Sequence, residues 1–129
     1  MFNTNVFDYV NVLQKAADAA WLRNDVLSNN ISNVSTPGYK RQDVDFESQL
    51  KRALGNTRYK TVDERVSNIR TSQLSPTVYT DSVGFSYRLD KNNVDMDTEG
   101  AYLAANQIKY NGLIDCVNQE FSNLSMVMK

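Results

Sequence analysis

Two acidic clusters are the first residues in this chain that could do chemistry. Asp43, Asp45 and Glu47 alternate along one short stretch, and Asp95, Asp97 and Glu99 along another. Spaced carboxylates can share a proton for acid–base work or hold a hard cation. The second cluster has the spacing of a calcium loop, with Gly100 at position six. Position twelve is Asn106, where such a loop needs a bidentate glutamate, and no helix is predicted before it. Its acids suit the positive end of a helix dipole instead, and Asp97 or Thr98 is the expected N-cap. Nothing fixes the first cluster in a cleft.

The rest of the usual catalytic equipment is missing. The sequence has no histidine, which removes the commonest general base and any Ser-His or Cys-His pair. The single cysteine, Cys116, has no partner in the chain and no evident activating neighbour, and reads as a small helix residue. Neither a GxGxxG nor a GxxxxGK[ST] phosphate loop occurs. No catalytic residue, metal or cofactor is expected, and the chain does not read as an enzyme.

Charge excludes further classes. The chain has 129 residues, enough for one ordinary domain, with 14 basic and 15 acidic side chains and a net charge of -1. A nucleic-acid binder or a polybasic membrane-surface protein would carry a basic excess. Mean hydropathy is -0.51, and no apolar run is long enough to span a membrane. The start, MFNTNVFDYVN, lacks the basic and apolar regions of a cleavable signal peptide.

Three segments must position whatever the chain does: 1–36, 37–96 and 97–129. Over residues 5–35, Val6, Val10, Leu13, Ala17, Ala20, Asn24, Leu27, Ile31 and Val34 recur at alternating spacings of four and three. That is a heptad seam on a long helix, with Asn24 its one polar member. Over 97–129, Leu103, Gln107, Tyr110, Ile114, Val117, Phe121, Leu124 and Met128 repeat the pattern, with Gln107 polar. The expected fold is mainly α: two long helices packed as an antiparallel, coiled-coil-like hairpin, with a short, partly extended or β middle. In that middle, QDVDFESQLKRALG predicts a short helix with Phe46, Leu50 and Leu54 on one face. SPTVYTDSVGFSYRLD predicts a local hairpin, and TRYKTVDERVSNIRTSQ is polar enough to stay mobile until a partner covers it. Phe2, Phe7, Tyr9, Trp21, Leu22, Val26 and Met126 lie off both seams. They predict a subunit that completes its core with neighbours.

The first helix ends in NNISNVSTPGYKR. Asparagine is a poor mid-helix residue because its amide competes for backbone groups. Asn29, Asn30 and Asn33 either satisfy orphan carbonyls at a fraying end or bond across to a neighbouring helix. Pro37-Gly38 predicts a type II turn with positive φ at Gly38.

Asn29-Asn30-Ile31-Ser32-Asn33 followed by Thr36-Pro37-Gly38-Tyr39-Lys40-Arg41 resembles the N-terminal signature of bacterial flagellar rod and hook proteins, with Ser32 where that family has alanine. Val44-Asp45-Phe46-Glu47, and Asn93 to Glu99 followed by Asn106-Gln107 and Tyr110, are similar to short rod proteins of the basal body in particular. The resemblance covers both ends of the chain and leaves residues 55–90 unmatched. It implies a structural subunit of the proximal rod, part of the drive shaft and export channel, with both helices in the wall of a tube. It also implies export, without cleavage, by the flagellar type III apparatus, and a place in the basal body on the periplasmic side of the envelope. The implied partners are other copies, other rod proteins, an adapter protein, the membrane ring and the export gate. The implied subunit contacts are Leu13, Leu27, Asn29, Asn30, Asn33, Thr36, Pro37, Gly38, Tyr39, Asn106, Tyr110, Ile114 and Phe121. The alternative is an unrelated coiled-coil adaptor or secretion chaperone. It would share the seams but has no need of the TPGY turn or of NVDMDTE.

Overall fold

A computed structural model of the chain describes residues 7–55, 58–81 and 88–129. Two long helices dominate: α1, Asp8–Ser32, and α4, Met96–Val127. At ~1.5 Å per residue they run about 37 and 48 Å. Alanines at 16, 17, 19 and 20 favour the first, and neither helix contains proline. They pack antiparallel: Asn30 meets Glu99, Asn106 meets Ala20, and Trp21 meets Tyr110. The expected helical hairpin is therefore present, and so is a small β middle.

The middle differs from its expected form at the start of its short helix. Gln42–Asp45, assigned to the start of a short helix, is the strand β1, and α2 begins only at Glu47 and runs to Leu54. Asp45, one residue before the N-cap Phe46, accepts from the Ser48 backbone and hydroxyl and ties down the first turn of α2. The strand β2, Thr77–Thr80, pairs antiparallel with β1. Gln42 faces Thr80 and Asp45 faces Thr77. The second arm of the expected local hairpin falls on 82–87, outside the described residues. The polar stretch expected to be mobile holds the helix α3, Val62–Ser67, and a 3-10 turn, Thr71–Gln73. Thr61 and Glu64 start α3 with a reciprocal capping box. Arg65 ties it to α2 by donating to the Leu54 carbonyl.

The core is small. Ala19, Phe46 and Leu74 are buried together, with Val12, Ala16, Leu50, Ala53 and Ile69 against them. One face of α1 thus carries the middle segment, while another carries α4. The α4 seam differs from the expected one chiefly at Gln107, Phe121 and Met128, which are exposed, and at Asn106, which is buried. The inward members are Asn106 and Leu113, with Leu103, Tyr110, Ile114, Val117 and Leu124 as expected. Gln107 is exposed and bonds Asn111 one turn on. Asn106 replaces it because its short amide reaches the Ala20 carbonyl, 2.8 Å away, where alanine lets α4 come close. The α4 N-cap is Asp95, not Asp97 or Thr98. Its carboxylate accepts from the backbone N–H groups of both. None of the described helices is long and apolar enough to cross a membrane.

Candidate functional site

The open end of the hairpin gathers the two motifs singled out in the sequence, although more than 50 residues separate them. The first is the turn after α1. The Tyr39 N–H donates to the Thr36 carbonyl at 3.2 Å, and Gly38 has φ +73°. That is the expected type II geometry, and only glycine adopts it without strain. The second is the segment entering α4. The Gly38 N–H donates to the Asp90 carbonyl at 2.6 Å, and Lys40 Nζ donates to the Lys91 carbonyl. Lys91 itself has φ +61°. Asn93 then stitches three strands of chain. Its Oδ1 accepts from the Arg41 N–H at 2.7 Å and its Nδ2 donates to the Asp81 carbonyl at 2.8 Å.

Asn30 explains why a helix should end in amides. It is fully buried, and its side chain behaves like an extra residue of the sheet. Nδ2 donates to the Gln42 carbonyl at 2.7 Å, and Oδ1 accepts from the Gln42 N–H at 3.0 Å. The remaining capacity goes to Glu99 Oε2 at 3.1 Å and the Tyr39 hydroxyl at 3.0 Å. Every donor and acceptor site of the amide is therefore used. Asn29 and Asn33 behave differently. Asn33 Nδ2 donates to the Asn29 carbonyl at 2.8 Å, satisfying a helix-end carbonyl within its own turn. Asn29 Nδ2 reaches the Tyr39 hydroxyl at 3.2 Å. Asn33 thus satisfies a carbonyl at the helix end, while Asn30 reaches the neighbouring helix at Glu99 and, beyond what was expected, the strand at Gln42.

Asn92, which the sequence reading passed over, caps α1 from a distance. Its buried Nδ2 lies 2.8, 3.0 and 2.9 Å from the carbonyls of Asn33, Val34 and Thr36. A single amide thereby gathers three carbonyls just beyond the helix. The chain cannot fray there while the α4 entry stays in place.

A charged cluster closes the site. Arg41, from the turn, holds Asp43 on β1, Asp81 after β2 and Glu99 on α4. Arg23 on α1 makes a second, forked pair with Asp43 at 2.7 and 3.1 Å. The Tyr102 ring lies 5.4 Å from the Arg41 guanidinium and 5.8 Å from that of Arg23, within cation–π range. Burial opposes the charge on Arg41, but its bonds to Glu99, Asp81 and Asp43 outweigh that and raise its pKa. Burial likewise opposes the charge on Asp43. Arg23, the Val44 N–H and Arg41 overcome it and hold the carboxyl below the usual carboxylate range. Two cations and three carboxylates from five segments thus form one partly buried network. Asp43 and Glu99, weighed above for acid–base or calcium chemistry, are its members. Among the described residues no group of three His, Cys, Asp or Glu side chains is placed to hold a metal ion.

The remaining named residues lie along the hairpin. Leu27 is fully buried. Leu13, Tyr110 and Ile114 are half-buried, and Phe121 is 49% exposed. Thr36, Pro37 and Gly38 lie on the surface of the turn. Asn106 is buried, and its Oδ1, like that of Asn24, has no hydrogen-bond partner among the described residues. Arg41 and Asn93 stood inside the quoted motifs without a role. The signal available was chemical: an arginine following a tight turn, with carboxylates two residues on and beside the next helix.

A helical hairpin whose open end is locked by a polar network, and whose sides keep apolar surface, is the build of an assembly subunit. Comparison with known proteins gives the family. Residues 11–40, which cover most of α1 and the turn, match the family described as flagella basal body rod protein. The chain is 32% identical over 116 residues to the flagellar basal body rod protein FlgB of Bacillus subtilis, covering 90% of this chain and 89% of that protein. It is 32% identical over 127 residues to FlgB of Cereibacter sphaeroides, covering 98% of each. It is 31% identical over 121 residues to FlgB of Borreliella burgdorferi, covering 87% of this chain and 89% of that protein. The chain belongs to the FlgB family of flagellar basal body rod proteins, as a structural subunit of the rod.

Proposed function

We propose that this chain builds the proximal part of the rod with its helical hairpin in the tube wall, and that neighbouring subunits complete its core. The observation that supports this is the apolar surface left on the hairpin. Trp21 is 57% exposed, and Phe7, Phe121 and Met126 are exposed as well. Trp21 and Phe121 flank a groove of about 430 Å³ on the α1–α4 seam, lined also by Val10, Ala17, Tyr110 and Ile114. A patch of that kind on a small chain marks a contact surface.

In this reading Leu13, Tyr110, Ile114, Phe121 and the exposed turn Thr36-Pro37-Gly38 meet neighbours. Leu27, Asn29, Asn30, Asn33, Tyr39 and Asn106 hold the shape that presents them. The partners are other copies and other rod proteins, with an adapter protein, the membrane ring and the export gate adjoining. The site of action is the envelope, on its periplasmic side, reached by type III export without cleavage. A chromosomal Trp21→Asp, Phe121→Asp double substitution tests the reading. The expected result is a subunit that is still made and exported but is absent from basal bodies, in non-motile cells. Normal rods and full motility would overturn it.

A further inference from the structure

A groove in the middle segment gathers positive charge that nothing answers. About 720 Å³ lies open between α2, the 3-10 turn and the start of β2. Ala53, Ile69 and the buried Leu74 line it with apolar surface, and Arg52 and Arg70 line it with charge. Among the described residues no carboxylate lines this groove, and neither arginine has an ion pair or a side-chain hydrogen bond. Arg23 and Arg41 are the contrast, since carboxylates meet both of those guanidinium groups.

The opposite surface stands on α1. Asp18, Trp21 and Asp25 are all exposed, and their spacings of three and four put them on one stripe. The two carboxylates lie ~10 Å apart along the axis with the indole between them. Neither is ion-paired among the described residues. The cations of the helix lie elsewhere: Lys15 is ~120° around from Trp21, and Arg23 turns to Asp43. Asp18 and Trp21 also border the α1–α4 groove described above. Ala16 and Ala19, which carry the middle segment, lie ~140–160° around from Trp21. The helix itself therefore stands between the stripe and the arginine groove, and the two cannot meet within one copy.

We propose that the Asp18–Trp21–Asp25 stripe of one copy docks on the Arg52–Arg70 groove of a second copy. This rests on the reading of the chain as a rod subunit, and it names what covers Trp21 there. Two carboxylates meet two guanidinium groups that lack partners of their own. The indole between them covers the apolar lining and offers its face to the same cations. Tryptophan and arginine are the side chains that most often anchor an interface. The occupant is a second copy because both halves of the complementarity stand on this one chain. Stripe and groove are different surfaces, so each contact leaves a free groove at one end and a free stripe at the other. Such a heterologous contact propagates instead of closing into a dimer, as a rod of repeated subunits needs.

Sedimentation velocity of the full chain over a concentration series, at low and at high salt, tests this. The wild type is expected to form a graded series of oligomers that shrinks as salt is added. Asp18→Lys with Asp25→Lys reverses the stripe, and Arg52→Glu with Arg70→Glu reverses the groove. All four positions are exposed, so the circular dichroism spectrum is expected to stay unchanged. Each double variant alone is expected to lose at least ~10-fold in self-association. The decisive sample is the mixture. The lysine stripe of one then faces the glutamate groove of the other, and the remaining native stripe faces the native groove, so oligomers are expected to return. Should a reversed variant unfold, Asp18→Asn with Asp25→Asn, or Arg52→Gln with Arg70→Gln, takes its place, with the same loss expected alone. A wild type that stays monomeric, association indifferent to salt, or reversed variants that do not recover on mixing would overturn the inference. The rod reading would fail separately, by absence of the chain from purified basal bodies.

Discussion

Asn30 is where the account is most exposed to experiment. Replacing it by alanine removes four hydrogen bonds, but their losses are unequal. Glu99 keeps Arg41, and the Tyr39 hydroxyl keeps Asn29. The stranded groups are the N–H and the carbonyl of Gln42, both served by the one amide. An unsatisfied buried group costs ~1–3 kcal/mol, so with two stranded groups Asn30→Ala is expected to lose about 2–6 kcal/mol. That is a large share of the ~5–15 kcal/mol that holds an ordinary domain folded. Asn30→Asp is the sharper variant. It has nearly the same shape but turns an oxygen toward the Gln42 carbonyl and the Glu99 carboxylate. At neutral pH it is expected to be less stable than Asn30→Ala. Its folded-state pKa is then raised, so its penalty fades as pH falls and a proton restores one donor. The gap between the two variants should narrow from pH 7 to about pH 5. Urea unfolding followed by circular dichroism gives the stabilities, and hydrogen exchange at the Gln42 amide reports the local opening. Variants within about 0.5 kcal/mol of wild type, or an aspartate more stable than the alanine at neutral pH, would refute the reasoning.

Three further outcomes are expected. Gly38→Val meets no atom within 4 Å of its new Cβ, so its cost is backbone strain of ~1–2 kcal/mol; Lys91→Gly should regain about 1 kcal/mol for the same reason, and equal melting curves for both would contradict the left-handed assignments. Phe121→Ala should be mild in the isolated chain, where the ring is half exposed, yet cost ~3–5 kcal/mol once neighbours bury it; a large loss in the monomer would count against that split. Because Arg23 and Arg41 hold the folded-state pKa of Asp43 low, its contribution is present above about pH 4 and lost as pH falls through the lower folded value. Asp43→Asn should therefore flatten the acid limb of the stability curve, and an unchanged limb would argue that the pairs contribute nothing.

Both long helices were legible because their apolar spacing persists over many turns, and the turn was legible because Pro37-Gly38 permits few conformations. The legible part ended where partners lie far apart in sequence. The strand Thr77–Thr80 pairs with Gln42–Asp45, some 35 positions back, and no local pattern announces that partner. Choosing Asn106 over Gln107 depended on the depth of contact at Ala20, which a heptad count does not contain. Arg41 looks like a surface charge after a turn until Asp81 and Glu99 are brought to it. The capping box at Thr61 and Glu64 was local and could have been read; the surrounding polarity hid it.

The most direct measurement is mass spectrometry and electron cryo-microscopy of basal bodies purified from the cells that make this chain. The account expects the chain in the rod as a repeating subunit. It expects the α1–α4 hairpin in the tube wall, Trp21 and Phe121 buried against neighbours, and Asn30 still bonded to Gln42 within its own chain. Basal bodies that lack the chain, or a rod in which Trp21 and Phe121 face open solvent, would contradict it.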